Sequence, residues 1–205
     1  MFAGFLVDGG AAAGGWTAYT PLSRQAGMGM DLWILAVLLL GMSSTIGAAN
    51  FLVTMFRMRA PGMTMFRMPI FSWTMLVTAL LQLLATPVLA AALAMLFIDR
   101  NYGGAFFDPN GGGNVVLWQN VFWFYSHPAV YIMILPGMGI ISEILPVFSR
   151  KPLFGYKAFV FATMGIGALG FSVWAHHMFT TGAVLLPFFG IMTFMIGVPT
   201  GVKIF

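Results

Sequence analysis

The chain has 205 residues, 60% of them hydrophobic and only 7% charged, and its mean hydropathy is +0.94. A soluble domain carries about 25% charged residues, so this composition excludes an ordinary water-soluble globule and points to an integral membrane protein. The sequence has no cysteine, which excludes disulfides and thiolate metal sites.

Residues 1–30 are rich in Gly and Ala, contain GGWTAYTPLS, and are expected as a loop lying at the outer interface. They show no basic n-region and no sustained apolar run, so no cleavable signal peptide is expected. Apolar stretches follow at about 31–56, 69–98, 115–148, 154–181 and 183–205. Each approaches or exceeds the roughly 20 residues a helix needs to cross a bilayer, and their unbroken apolarity argues against strands. The expected fold class is all-α: a polytopic transmembrane helix bundle of about five spans, one membrane domain over 1–205. The 25 glycines and 11 prolines suit such a bundle, where both are tolerated better than in soluble helices.

The charges orient the spans. Arg57, Arg59 and Arg67 fall between the first and second, and Arg150, Lys151 and Lys157 between the third and fourth; Lys203 is near the end of the fifth. The remaining connections hold Asp8, Asp31, Asp99 and Asp108, with Arg24 and Arg100 as their cations. By the positive-inside rule the two basic turns face the cytoplasm or its equivalent. The net charge of +4 is therefore a topology signal and not a nucleic-acid footprint. MFRM occurs at 55–58 and again at 65–68. A thioether can ligate copper, but packing at a basic turn is the simpler reading. DPNGGGN at 108–114 reads as an outer turn, and no solenoid repeat is found.

The three histidines of the chain, His127, His176 and His177, all fall in the third and fourth spans. Ionisable groups inside a bilayer are costly and usually functional. His127 is about nine residues, roughly 13 Å, from the outer end of its span; His176 and His177 are about five residues, roughly 8 Å, from theirs. Antiparallel neighbours could bring them onto one ion. Three imidazoles without carboxylate or thiolate suit copper, or zinc as the commoner choice. Tyr131, four residues after His127, shares its helix face. It can supply an electron and a proton to a copper site, or it is a core tyrosine with a hydrogen-bond partner. Ser142 lies about three helical turns beyond Tyr131 on the same face. Thr200 and Lys203 are close together in the fifth span, where the lysine either snorkels to the inner surface or serves a proton path. Pro128 and Pro136 free carbonyls in the third span and can kink it.

These residues carry a family resemblance. WFYSHPAVYIMILPGMGIISEILPVFSRKP, VWAHHMFTTG and VPTGVKIF, with GGWTAYTPLS, FFDPNGGG and LWQN upstream, resemble subunit I of the haem–copper oxygen reductases, the cytochrome c oxidase class. The likeness covers nearly the whole chain. It implies that His127, His176 and His177 ligate the active-site copper, and that Tyr131 is covalently linked to His127 and takes part in O–O bond cleavage. It places Tyr131, Ser142, Thr200 and Lys203 on the family's lysine-containing proton pathway, and Trp16 and Trp123 near the haem–copper pocket. It implies oxygen reduction to water coupled to proton translocation, electrons from cytochrome c or a quinol, other oxidase subunits (II and III) and the bilayer as partners, and a bacterial plasma membrane as location.

Two departures qualify the likeness. The family's commoner pattern places a glutamate where this chain has Ala129. Tyr125 and Ser126 belong to a branch with a YSHP pattern, and Tyr125, four residues before Ala129, can reach similar space as a proton relay or be an aromatic packing residue. Second, the family's two haems require further histidines, and this chain has no others. The expectation is a partial subunit, five spans from the middle of a twelve-span family fold, inactive alone and lacking a haem-iron ligand. The alternatives are a quinol oxidase or nitric oxide reductase of the same superfamily, a non-enzymatic metal-binding membrane protein, and an inert fragment.

Overall fold

The structure is a computed structural model and describes residues 1–25 and 27–205. The described residues are helical, turn or irregular apart from one isolated β-bridge between Ala11 and Gly29, with seven α-helices: α1 (Leu22–Gln25), α2 (Met28–Arg57), α3 (Ile70–Asn101), α4 (Val115–Ser149), α5 (Tyr156–Gly170), α6 (Leu186–Met195) and α7 (Gly197–Ile204). Short 3-10 helices occur among them, including Trp174–Thr181. Five helical stretches are long and apolar enough to cross a membrane: Met28–Arg57, Ile70–Asn101, Val115–Ser149, Tyr156–Thr181 and Leu186–Ile204. An all-α bundle of five candidate spans is what the composition led us to expect.

Local chemistry sets the helix ends. Asp31 lies in the first turn of α2, where a carboxylate complements the helix dipole. The Asn114 side chain accepts from the Val116 amide at 2.8 Å and caps α4. At the other end of α2, Arg59 donates to the carbonyls of Met55 (2.6 Å), Phe56 (3.0 Å) and Met63 (3.0 Å). The same guanidinium meets Met65 Sδ at 3.4 Å, and Met68 is buried, so the repeated MFRM segments pack a basic turn.

Three details differ from the sequence expectation. Helix α2 begins at Met28, inside the stretch expected as loop. Asp31, Asp99 and Arg100, expected in connections, lie in the terminal turns of α2 and α3. The fourth and fifth spans are not single helices. The fourth turns at Phe171 into the 3-10 segment, and the fifth is divided between α6 and α7 at Ile196, just before Gly197 and Pro199. Pro199 has no N–H for the carbonyl one turn back.

Helix α3 packs against α2, α4 and α5. Glycines allow the close approaches. A Cβ on Gly139 of α4 would come within 3.1 Å of the Phe71 Cα, and one on Gly167 of α5 would meet Val77 Cγ1 at 2.5 Å. Small residues at crossings are the membrane route to tight packing. The turns carrying Arg57, Arg59, Arg67, Arg150, Lys151 and Lys157 share one end, because successive spans alternate in direction. At the opposite end Arg100 pairs with Asp31 (2.7 Å) and donates to the Gly27 carbonyl (2.9 Å). Arg24 pairs with Asp108 at 3.1 Å, and Asp99 accepts from the Phe106 and Phe107 amides at 2.9 and 2.8 Å. These contacts hold the first segment and the turn after α3 over the end of the bundle where the histidines lie.

Candidate metal site and the polar residues beside it

The site begins with α4. Pro128 removes one backbone donor directly after His127, yet α4 is one helix from Val115 to Ser149 through Pro128, Pro136 and Pro146. His127 and Ser126 are buried. His176 and His177 come from the 3-10 helix Trp174–Thr181, whose backbone leaves helical geometry at Met178. The two are adjacent in this segment, and both rings pack against His127 of α4. Ring centroids are 4.6 Å apart for His127 and His176, 5.3 Å for His127 and His177, and 4.2 Å for His176 and His177. One ring nitrogen from each lies within 4.8 Å of the others. His127 Nδ1 and His177 Nε2 are 3.1 Å apart, a spacing that two ligands of one ion adopt.

The surrounding contacts select tautomers. Thr193 Oγ1 donates to the Phe189 carbonyl at 2.6 Å, so toward His176 Nδ1, 2.9 Å away, it acts as acceptor. His176 therefore carries its proton on Nδ1 and leaves the Nε2 lone pair free, the arrangement an outer hydrogen bond imposes on a ligating histidine. His127 Nε2 is buried and has no hydrogen-bond partner among the described residues. Three imidazoles converging on one point fit a copper ion, and as a donor set they also suit zinc. The same convergence leaves no imidazole for haem iron, so the residues of this chain do not fit that group.

Tyr131 stands against His127 with ring centroids 4.8 Å apart and planes at 65°. Gly170 closes its other side: a Cβ there would lie 2.9 Å from Tyr131 Cδ2 and 3.2 Å from Cε2. Trp123 lies flat on His177, centroids 3.8 Å apart at 12°, and its indole N–H donates to the Tyr19 hydroxyl at 2.6 Å. Trp16 is 65% exposed and meets the edge of Trp123 at 5.5 Å. It therefore borders the site through Trp123 and does not touch the histidines. Tyr125 is half-buried beside the aromatic cluster of Trp118, Phe122 and Trp123, and Ala129 is also partly covered.

The polar residues further along are arranged differently from their sequence spacing. Ser142 Oγ donates to the Met138 carbonyl at 2.7 Å, and Thr200 Oγ1 to Ile196 at 2.8 Å. Each is satisfied by its own helix. Lys203 Nζ donates to Thr163 Oγ1 on α5 at 3.0 Å. Ser142 and Lys203 line one cleft of about 830 Å³ that also includes Met138 and Phe159. Sequence reasoning missed Thr163, Gly170, Thr193 and Tyr19. None stands at a fixed spacing from the residue it serves, so no periodic signal marks them.

The family model described as "Cytochrome C and Quinol oxidase polypeptide I" matches residues 1–205. A Nocardia farcinica protein named "Probable cytochrome c oxidase subunit 1-beta" is 60% identical, over 99% of this chain and 35% of its own length. Cytochrome c oxidase subunit 1 of Corynebacterium efficiens is 58% identical over 100% of the chain and 36% of its own length; that of Corynebacterium glutamicum is 57% identical over 100% and 35%. The chain thus spans about a third of the length of the curated relatives it matches.

Proposed function

The chain belongs to the cytochrome c and quinol oxidase polypeptide I family, and on that premise we propose that it is the copper-bearing part of a terminal oxidase's catalytic subunit. That subunit reduces oxygen to water with electrons from cytochrome c and couples the reaction to proton translocation. The observation that carries this reading is the convergence of His127, His176 and His177, with their ring nitrogens within 4.8 Å of one another. Copper bound there would supply one-electron redox chemistry.

This chain's own residues bind and handle protons. His127, His176 and His177 hold the ion, with Thr193 and Trp123 fixing the rings of His176 and His177. Tyr131 carries a phenolic proton beside the ion. The unpartnered His127 Nε2 and the adjacent Tyr131 ring support a covalent link between them, since a nitrogen so bonded needs no hydrogen-bond partner. The same phenol favours an oxygen reductase over a nitric oxide reductase of the superfamily. Lys203, Thr200 and Ser142 carry protons from the basic end toward Tyr131. Tyr125 and buried Ser126 serve as a relay where the commoner pattern has a glutamate at the position of Ala129. Haem iron finds no ligand here, so no step of this chain's residues is routed through it.

The partners are oxidase subunits II and III, cytochrome c and the lipid of a bacterial plasma membrane. Apolar side chains exposed along α2, such as Leu39, Leu40 and Ile46, suit lipid and neighbouring helices. The test is the copper content of the complete oxidase carrying His176→Ala or His127→Ala. Loss of a copper ion together with oxygen uptake is expected; unchanged copper in both variants overturns the assignment.

A further inference from the structure

We propose that the Thr163 hydroxyl is the station at which Lys203 holds its ammonium, making Thr163 a positioning residue for proton uptake. The proposal rests on the reading of Lys203 as a proton carrier.

A lysine inside a membrane span would ordinarily snorkel to water. Lys203 instead turns inward: it is 7% exposed, its Nζ donates to Thr163 Oγ1 at 3.0 Å, and the ammonium lies 5.3 Å from the centroid of the Phe159 ring. Thr163 is fully buried. Its single O–H is committed to the Phe159 carbonyl, 2.8 Å away. Toward Nζ the oxygen therefore presents lone pairs only. A hydroxyl free to rotate could donate to an unprotonated amine; this one accepts. An acceptor-only oxygen suits the N–H donors of Nζ. The face of the Phe159 ring adds cation–π attraction. One turn of α5, Phe159 to Thr163, thus supplies all the contacts named for the ammonium.

The station is also one that the side chain can leave. Among the described residues, no carboxylate pairs with Lys203. A buried ion pair is costly to break by removing one partner, whereas one bond to a neutral hydroxyl and one ring face hold the ammonium without locking it. Ser142 and Met138 of α4 line the same cleft as Lys203.

The experiment uses the complete oxidase complex with Thr163→Val, Thr163→Ser and Lys203→Met. The readouts are the rate of anaerobic haem reduction and the acetylation of Lys203 by an amine-acylating reagent, quantified by mass spectrometry. Thr163→Val keeps the side-chain shape and removes the acceptor. It is expected to slow reduction about tenfold and to increase Lys203 acetylation severalfold. Thr163→Ser restores both to near the parent values, and Lys203→Met abolishes rapid reduction. If Lys203→Met blocks reduction while Thr163→Val matches the parent, the station is overturned and the lysine reading stands. Equal slowing in Thr163→Val and Thr163→Ser marks a packing role and also overturns the station. Near-normal reduction in Lys203→Met removes the lysine reading and the station with it. Should the valine variant fail to assemble, Thr163→Ala is read in its place with the same outcomes.

Discussion

The indole of Trp123 lies face to face with the imidazole of His177, ring centroids 3.8 Å apart and planes at 12°. The indole is itself held by its hydrogen bond to the Tyr19 hydroxyl, so a residue of the N-terminal segment sets the orientation of a metal-ligand candidate through one intermediary. Stacked aromatic pairs contribute about 0.5–1.5 kcal/mol beyond burial. Trp123→Leu is therefore expected to weaken copper retention roughly three- to tenfold, measured by titrating the complete oxidase with a copper chelator. Retention equal to the parent would show that His177 is oriented without the indole.

Thr193 acts on the neighbouring ring. Its hydroxyl accepts from His176 Nδ1 because its own proton is given to Phe189. Thr193→Val removes that acceptor and frees the imidazole to rotate or change tautomer. Outer-shell losses of this kind cost roughly 10- to 100-fold in metal affinity. The same chelator titration measures it, and Thr193→Ser is expected to restore the parent value.

Gly170 leaves the space that Tyr131 occupies. An alanine there brings Cβ to 2.9 Å from Tyr131 Cδ2, closer than carbon atoms tolerate, and the ring must shift from its place beside His127. Displacing a reacting group by about 1 Å can lower turnover roughly a hundredfold. Gly170→Ala is expected to reduce oxygen uptake by about that factor while copper content stays at the parent level. Unchanged oxygen uptake would show that the Tyr131 ring accommodates the methyl group in place.

Asp31 and Arg100 join α2 to the end of α3. The Arg100 side chain is 6% exposed and that of Asp31 18%. Asp31→Asn leaves a largely buried guanidinium without its counter-charge, which costs about 3 kcal/mol. A fall in the thermal unfolding midpoint of the detergent-solubilised complex is expected. A midpoint equal to the parent would show that the carbonyls of Ser23, Arg24 and Gly27 satisfy Arg100 by themselves.

Much of the fold was legible before any coordinates, because apolar length and charge placement are local properties. A run such as 69–98 must be helical to satisfy its backbone in lipid, and the basic residues at 57–67 and 150–157 mark one end. The helix ends were less legible. Asp31 reads as a loop charge because composition cannot reveal that Arg100 waits across the bundle, far away in sequence, to pair with it.

The candidate site divides along the same line. The sequence by itself determined that three histidines lie at similar depth in neighbouring antiparallel spans, and that Tyr131 shares the face of His127, since one helix period relates the two. Only the tertiary structure decided that both His176 and His177 turn toward α4. Adjacent residues of a helix diverge by about 100° or more, and that both rings nonetheless meet His127 follows from how the chain after Gly170 is placed against α4. Only the tertiary structure, too, gave Lys203 its partner. Thr200 is the neighbour by sequence, but among the described residues the hydroxyl that meets Lys203 Nζ is that of Thr163, on another helix. Periodicity places residues on a face; which side chain across the bundle holds a free lone pair depends on where every other proton has already gone.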